Sequence, residues 1–137
     1  MMTGLSVLDQ MPLSSSLARE IVILLVEDEV MIRNLVQRIL MAEGFEVLTA
    51  ADGQEALEVL RAFPTLIHML LTDVRMPKVN GFKLAKQVHL ESPQTKIVFM
   101  CGDWDFPGET LPVNVILKPF HPKDLIEGVR KGLSVVP

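Results

Sequence analysis

Cysteine is almost absent from this chain: Cys101 is the single one among 137 residues. No intrachain disulfide can form, and without a Cys/His cluster a zinc site has no ligands to draw on. The three histidines, His68, His89 and His121, are scattered and make no donor site. Long hydrophobic runs are also missing. Hydrophobic residues make up 49% of the chain and its mean hydropathy is +0.35, yet no apolar stretch approaches the ~18 residues that span a bilayer. The first sixteen residues lack the basic and continuous apolar regions of a secretory signal, so a cytoplasmic location is expected. Basic residues are outnumbered, 13 Lys and Arg against 17 Asp and Glu for a net charge of -4, and they are dispersed. A phosphate-binding face needs them clustered. The expected partners are therefore proteins, with neither nucleic acid nor membrane.

The length fits one domain with one core. Residues 1–19, with Ser14-Ser15-Ser16 and no clear period, read as a flexible N-terminal leader, and residues 20–137 as the folded domain. Ile21-Val22-Ile23-Leu24-Leu25-Val26 is a continuous apolar run and predicts a central parallel strand. Ile32, Leu35, Val36, Ile39 and Leu40 then recur at helical spacing, with Gly44 where a C-cap stands. Residues 45–51 predict a second strand, and Asp52-Gly53 leads into a helix using Ala56, Leu57 and Leu60. Residues 66–71 predict a third strand and 82–90 a third helix. Residues 97–100 and 115–117 predict strands four and five. A last helix opens at His121-Pro122, with Pro at its first position and Leu125, Ile126, Val129 and Leu133 inward. Strands alternating with helices at this spacing argue an α/β class with a parallel sheet covered on both faces. Between strands four and five only about ten residues remain for loops and a crossover helix, Pro107, Gly108 and Pro112 among them, against ~11 for a mean helix. The fourth helix is therefore expected to be shortened or missing.

In Leu70-Leu71-Thr72-Asp73-Val74-Arg75-Met76-Pro77-Lys78-Val79-Asn80-Gly81 the apolar run stops at one carboxylate. Pro77 blocks immediate helix and Asn80-Gly81 supplies a turn, holding the loop near Asp73. Capping a helix or satisfying loop amides would explain this stretch alone equally well. In an open α/β sheet, however, functional groups gather beyond the carboxyl ends of the strands, which brings together Glu27, Asp28, Asp73, Cys101 and Lys118. With all four charged groups ionised the site carries -3 + 1 = -2. Two like charges ~4 Å apart repel by roughly 4 kcal/mol at an effective dielectric of about 20, so the cluster must raise a pKa or recruit a cation. Oxygen-only ligands suit Mg²⁺. A carboxylate nucleophile beside Mg²⁺ and an ammonium is equipment for phosphoryl transfer.

Val26-Glu27-Asp28-Glu29, Thr72-Asp73-Val74-Arg75-Met76-Pro77 with Gly81, and Lys118-Pro119-Phe120 together resemble the receiver (response-regulator, chemotaxis-regulator-like) domain of two-component signal transduction, over residues 21–133. The resemblance implies a flavodoxin-like, doubly wound five-stranded sheet of order 2-1-3-4-5. It implies Asp73 as phosphoacceptor, Asp28 and Asp73 as direct Mg²⁺ ligands with the Arg75 backbone carbonyl, Glu27 as a ligand through water, and Lys118 on a phosphoryl oxygen. The phosphoryl donor would be a histidine kinase or phosphotransfer protein. The domain would catalyse only its own phosphorylation and slow dephosphorylation, without turning over an external substrate. With no output domain after Leu133, signalling is expected through a protein target not named by the sequence, and a homodimer is allowed.

Three features depart from that family. Cys101 stands where a Thr or Ser usually donates to the phosphoryl group, and a thiol is a weak donor. Val115 stands where many members carry a switching aromatic. The shortened fourth helix removes a common contact face, and Trp104 and Phe106 within that interval are candidates for a different one. These departures leave a second reading open, a receiver-fold binding module that no longer switches. A redox role for Cys101 is opposed by the neighbouring carboxylates. An aspartyl-phosphate hydrolase of the haloacid dehalogenase type would need a second Asp at the position of Arg75.

Overall fold

The computed structural model describes residues 21–102 and 114–134. The chain runs β1 (Val22–Val26), α1 (Val30–Ala42), β2 (Glu46–Ala50), α2 (Gly53–Ala62), β3 (Met69–Asp73), α3 (Gly81–Glu91), β4 (Lys96–Cys101), β5 (Val115–Leu117) and α4 (Pro122–Ser134). The strands form one sheet of order β2-β1-β3-β4-β5, and every neighbouring pair is parallel. Class and order are those expected. The leader and the interval holding Trp104, Phe106 and the expected short helix lie outside the described residues.

β1 is buried along its whole length, which explains why its sequence is continuously apolar rather than alternating. Its side chains divide by parity between two cores. Ile23 and Leu25 pack with Val36 and Leu40 of α1 and with Leu125 and Val129 of α4. Leu24 and Val26 pack with Ala56 of α2 and with Leu84 and Val88 of α3. Among the described residues, two helices cover each face.

Helix ends follow local chemistry. Gly44 has φ 95°, and the amides of Gly44 and Phe45 donate to the carbonyls of Met41 at 2.9 Å and Leu40 at 3.2 Å. This double bond pattern closes α1 and turns Phe45 into the core. Asp52 caps α2 by accepting from the Glu55 amide at 2.8 Å, and Asn80 caps α3 by accepting from Lys83 at 2.9 Å.

Three expectations change in detail. The third strand is displaced towards the site: it starts at Met69 and continues through Asp73, which pairs with Met100, because β4 runs on to Cys101 and extends the ladder. Leu35 does not face inward; it is 53% exposed, so the inward stripe of α1 is narrower than its apolar composition. Asn80-Gly81 is the start of a helix rather than a separate turn, since the Asn80 side chain supplies the cap.

α4 lies so close to the sheet that a Cβ on Gly132 would meet Val98 Cγ2 at 2.5 Å and Met69 Cε at 2.9 Å. Gly132→Val is therefore expected to destabilise the fold by about 1–3 kcal/mol through overpacking. Urea unfolding checks this; an unchanged midpoint would show that the α4 contact is looser than described.

Candidate functional site

Three strands bring one charged side chain each to the same edge of the sheet. Glu27 directly follows β1, Asp73 ends β3 and Lys118 directly follows β5. Backbone pairing holds the outer two one step past their strands: the Glu27 amide donates to the Ala50 carbonyl at 3.1 Å and the Lys118 amide to the Cys101 carbonyl at 2.9 Å. The Lys118–Pro119 peptide bond is cis.

Lys118 joins the other two. Its ammonium donates to Glu27 Oε1 at 2.7 Å and to Asp73 Oδ2 at 3.0 Å. The Glu27 side chain is fully buried, whereas those of Asp73 and Lys118 remain 13% and 19% exposed. Asp28 is exposed at the rim. Carboxylate oxygens of Glu27, Asp28 and Asp73 all lie within 4.8 Å of one another. The four charged residues expected to converge thus do so. An all-oxygen trio of this kind fits a hard divalent cation.

Burial is the largest influence on Glu27 and pushes its pKa up; the Lys118 hydrogen bond opposes this and the charge of Asp73 adds to it, leaving Glu27 at about 7. The site is therefore less negative near neutral pH than full ionisation implies. Burial pulls the Lys118 ammonium down, but the hydrogen bonds and charges of Glu27 and Asp73 together outweigh it and hold its pKa above the ordinary value. Lys118 stays charged.

Behind Asp73 the chain doubles back tightly. The Val74 amide donates to Met100 at 3.2 Å and the Gly81 amide to the Val74 carbonyl at 2.8 Å. A Cβ at Gly81 would overlap the Asp73 carbonyl and stand 2.9 Å from Val74 Cα, so only glycine allows this approach. Lys78 in the same loop has φ 70°, and its ammonium lies 3.9 Å from Asp52 Oδ2.

The remaining expected residues sit around this centre. Arg75 is exposed in the loop after β3. Cys101 is buried, 2% exposed, among residues facing α2 and α3, and Val115 packs against the same core. Beside Lys118 opens an apolar groove of about 420 Å³ lined by Ile32, Leu35, Gly102, Lys118, Pro119 and Phe120. Helical spacing had grouped Leu35 with Ile32, Val36, Ile39 and Leu40, and sequence reasoning did not single out Arg33, whose Nη1 donates to the Glu27 carbonyl at 2.8 Å. The available signal was a cation near the start of a helix, where the macrodipole disfavours it.

The raised pKa of Glu27 sets a pH dependence. The folded chain holds this proton more tightly than the unfolded chain, so the associated stability is complete below pH 4.5 and is lost as pH rises through about 7. Without divalent cations this loss should reach at most about 3–4 kcal/mol, from roughly 1.4 kcal/mol per pH unit. Glu27→Gln, which cannot titrate, should flatten the dependence. Urea unfolding from about pH 5 to about pH 8 measures both; parallel curves for the two proteins would remove Glu27 as the cause.

The family model described as response regulator receiver domain matches residues 23–130. The aerobic respiration control protein ArcA of Escherichia coli (strain K12) is 32% identical over 117 residues, which is 82% of this chain and 48% of that protein. The chain thus spans about half the length of ArcA. The response regulator receiver protein CpdR of Brucella abortus is 34% identical over 119 residues, covering 81% of this chain and 95% of CpdR. The structure of chemotaxis protein CheY4 of Vibrio cholerae superposes with a TM-score of 0.71 at 30% identity, over 82% of this chain and 98% of that one. With the family model spanning the sheet and the site together, this chain belongs to the response regulator receiver domains of two-component signalling.

Proposed function

We propose that Asp73 is the phosphoacceptor of this receiver domain and that a histidine kinase or phosphotransfer protein is its donor. An Asp73 carboxylate oxygen attacks the phosphorus of a phosphohistidine. The P–N bond breaks, the imidazole nitrogen keeps the bonding pair and takes up a proton from water, and Asp73 becomes an acyl phosphate. Hydrolysis of that mixed anhydride returns the carboxylate and phosphate, slowly and without an external substrate. The observation that carries this reading is the placement of the Asp73 carboxylate, part-exposed, 3.0 Å from the Lys118 ammonium and within the acidic trio.

Asp28, Asp73 and the Arg75 carbonyl are the groups that would hold Mg²⁺ directly, with Glu27 acting through water. When bound, the ion would offset charge on the transferring phosphoryl group. Lys118 needs little rearrangement to reach a phosphoryl oxygen on Asp73, because its ammonium already lies against that carboxylate. Glu27 keeps Lys118 at the site from behind. The apolar groove beside Lys118 offers the donor protein a surface next to the reacting group. No helix among the described residues is long and apolar enough to cross a membrane.

Incubating the protein with a small phosphodonor and Mg²⁺ should add about 80 Da, the mass of one phosphoryl group, to the intact chain. Asp73→Asn should abolish the adduct. An unmodified wild type would instead favour the binding-module reading.

Cys101 supports weakened switching even where phosphorylation occurs. A hydrogen bond to a charged group contributes typically about 1.5–3 kcal/mol, and a thiol supplies little of it. Cys101→Thr should therefore strengthen the response to phosphorylation by about ten- to a hundredfold in the coupling between site and shape. Amide chemical-shift changes on phosphorylation, compared between the two proteins, measure this. Equal changes would count against the thiol as the weak link.

A further inference from the structure

The proposed chemistry leaves the contact between Arg33 and the backbone of Glu27 unused. Arg33, in the second turn of α1, directs its guanidinium back towards the sheet, with Nη1 2.8 Å from the Glu27 carbonyl oxygen. This carbonyl lies one residue past the last β1–β3 pair, Val26 with Thr72. No backbone amide among the described residues donates to it. A second bond converges on the same residue, from the Glu29 amide to Glu27 Oε2 at 3.2 Å. The cap residue Glu29 makes no side-chain bond of its own to α1. Two bonds onto Glu27 therefore hold the short connection between β1 and α1, and Asp28 sits between their anchor points.

We infer that Arg33 is a positioning residue for divalent-cation binding. By holding the Glu27 carbonyl it fixes the turn through residues 27–29, which keeps the exposed Asp28 carboxylate within reach of Glu27 and Asp73. The inference rests on the proposed reading that this trio takes Mg²⁺. Charge and position predict opposite signs here. As a nearby positive charge alone, Arg33 would oppose a cation, and its removal would tighten binding. As the anchor of the turn, its removal loosens Asp28 and weakens binding.

Calorimetric titration of the full chain with MgCl₂ separates these outcomes. Arg33→Ala is expected to raise the Kd about tenfold, in the range seen when the groups that orient metal ligands are lost. Arg33→Lys keeps the charge and part of the reach; it should raise the Kd by a smaller factor and serves if the alanine variant does not fold. Arg130→Ala, which breaks the surface pair between α4 and Glu43 at the far end of α1, 2.8 Å long, is expected to leave the Kd unchanged. A Kd for Arg33→Ala equal to or below that of the wild type overturns the inference, as does an equal rise in Arg130→Ala. A wild type that takes no Mg²⁺ overturns the metal reading itself, and this inference falls with it.

Discussion

One ammonium group holds the site in the form described. Lys118 reaches past the end of β4 to touch the carboxylates that terminate β1 and β3, at 2.7 and 3.0 Å. The Cys101 carbonyl at the end of β4 fixes the Lys118 backbone by accepting its amide at 2.9 Å. Burying Glu27 without a partner would be costly, since a charge leaving water requires an opposite charge or a proton. Glu27 has a share of both. Its pKa near 7 reflects burial and the adjacent Asp73 charge, set against the hydrogen bond from Lys118. A site that is crowded with carboxylates is thereby made less negative by one ammonium and by the raised pKa of Glu27.

The sheet makes that arrangement possible through order alone. β1 and β3 are neighbours while β5 stands beyond β4, so the two acidic ends are adjacent and the basic one arrives from the side. Gly81 then draws the loop after Asp73 against its own backbone, where any side chain would collide with the Asp73 carbonyl. The short distance between Asp73 and the start of α3 is thus a consequence of a missing Cβ. Asn80 completes the arrangement by capping the helix that Gly81 begins.

Most of this was legible in the sequence, for physical reasons that can be named. β1 could be read because burial on both faces demands an uninterrupted apolar run, and Glu27, Asp28, Asp73 and Lys118 because each abruptly follows or ends such a run. The extension of β3 through Asp73 was less visible: the apolar signal stops at Leu71, while the ladder continues through polar residues for as long as β4 offers partners. Leu35 shares the helical spacing of α1 but is 53% exposed, because spacing records which residues are apolar and not which are covered. It follows Ile32 along α1, yet it lines an open groove next to Lys118. Arg33 was missed because its partner is a backbone carbonyl six residues earlier, and no side-chain pattern encodes that.

The departures that the resemblance implies among the described residues, Cys101 and Val115, fall together in the fold. Glu27, Asp28 and Asp73 belong to the ends of β1 and β3, where the motifs match, whereas Cys101 and Val115 belong to β4 and β5. Those two strands pair directly, Phe99 with Val115 and Cys101 with Leu117, and the side chains of Cys101 and Val115 both join the core that faces α2 and α3. Of the charged site residues, Lys118 is the one attached to this edge, where it is held by backbone pairing with Cys101 and by the carboxylates of Glu27 and Asp73. The groups proposed to carry the phosphoryl chemistry therefore depend on contacts that the substitutions at 101 and 115 do not touch. A change in how β4 and β5 respond can accumulate there without disturbing the carboxylates. On the proposed reading, Lys118 ties the carboxylates at the ends of β1 and β3 to the β4–β5 edge, beside the backbone ladder that pairs Asp73 with Met100.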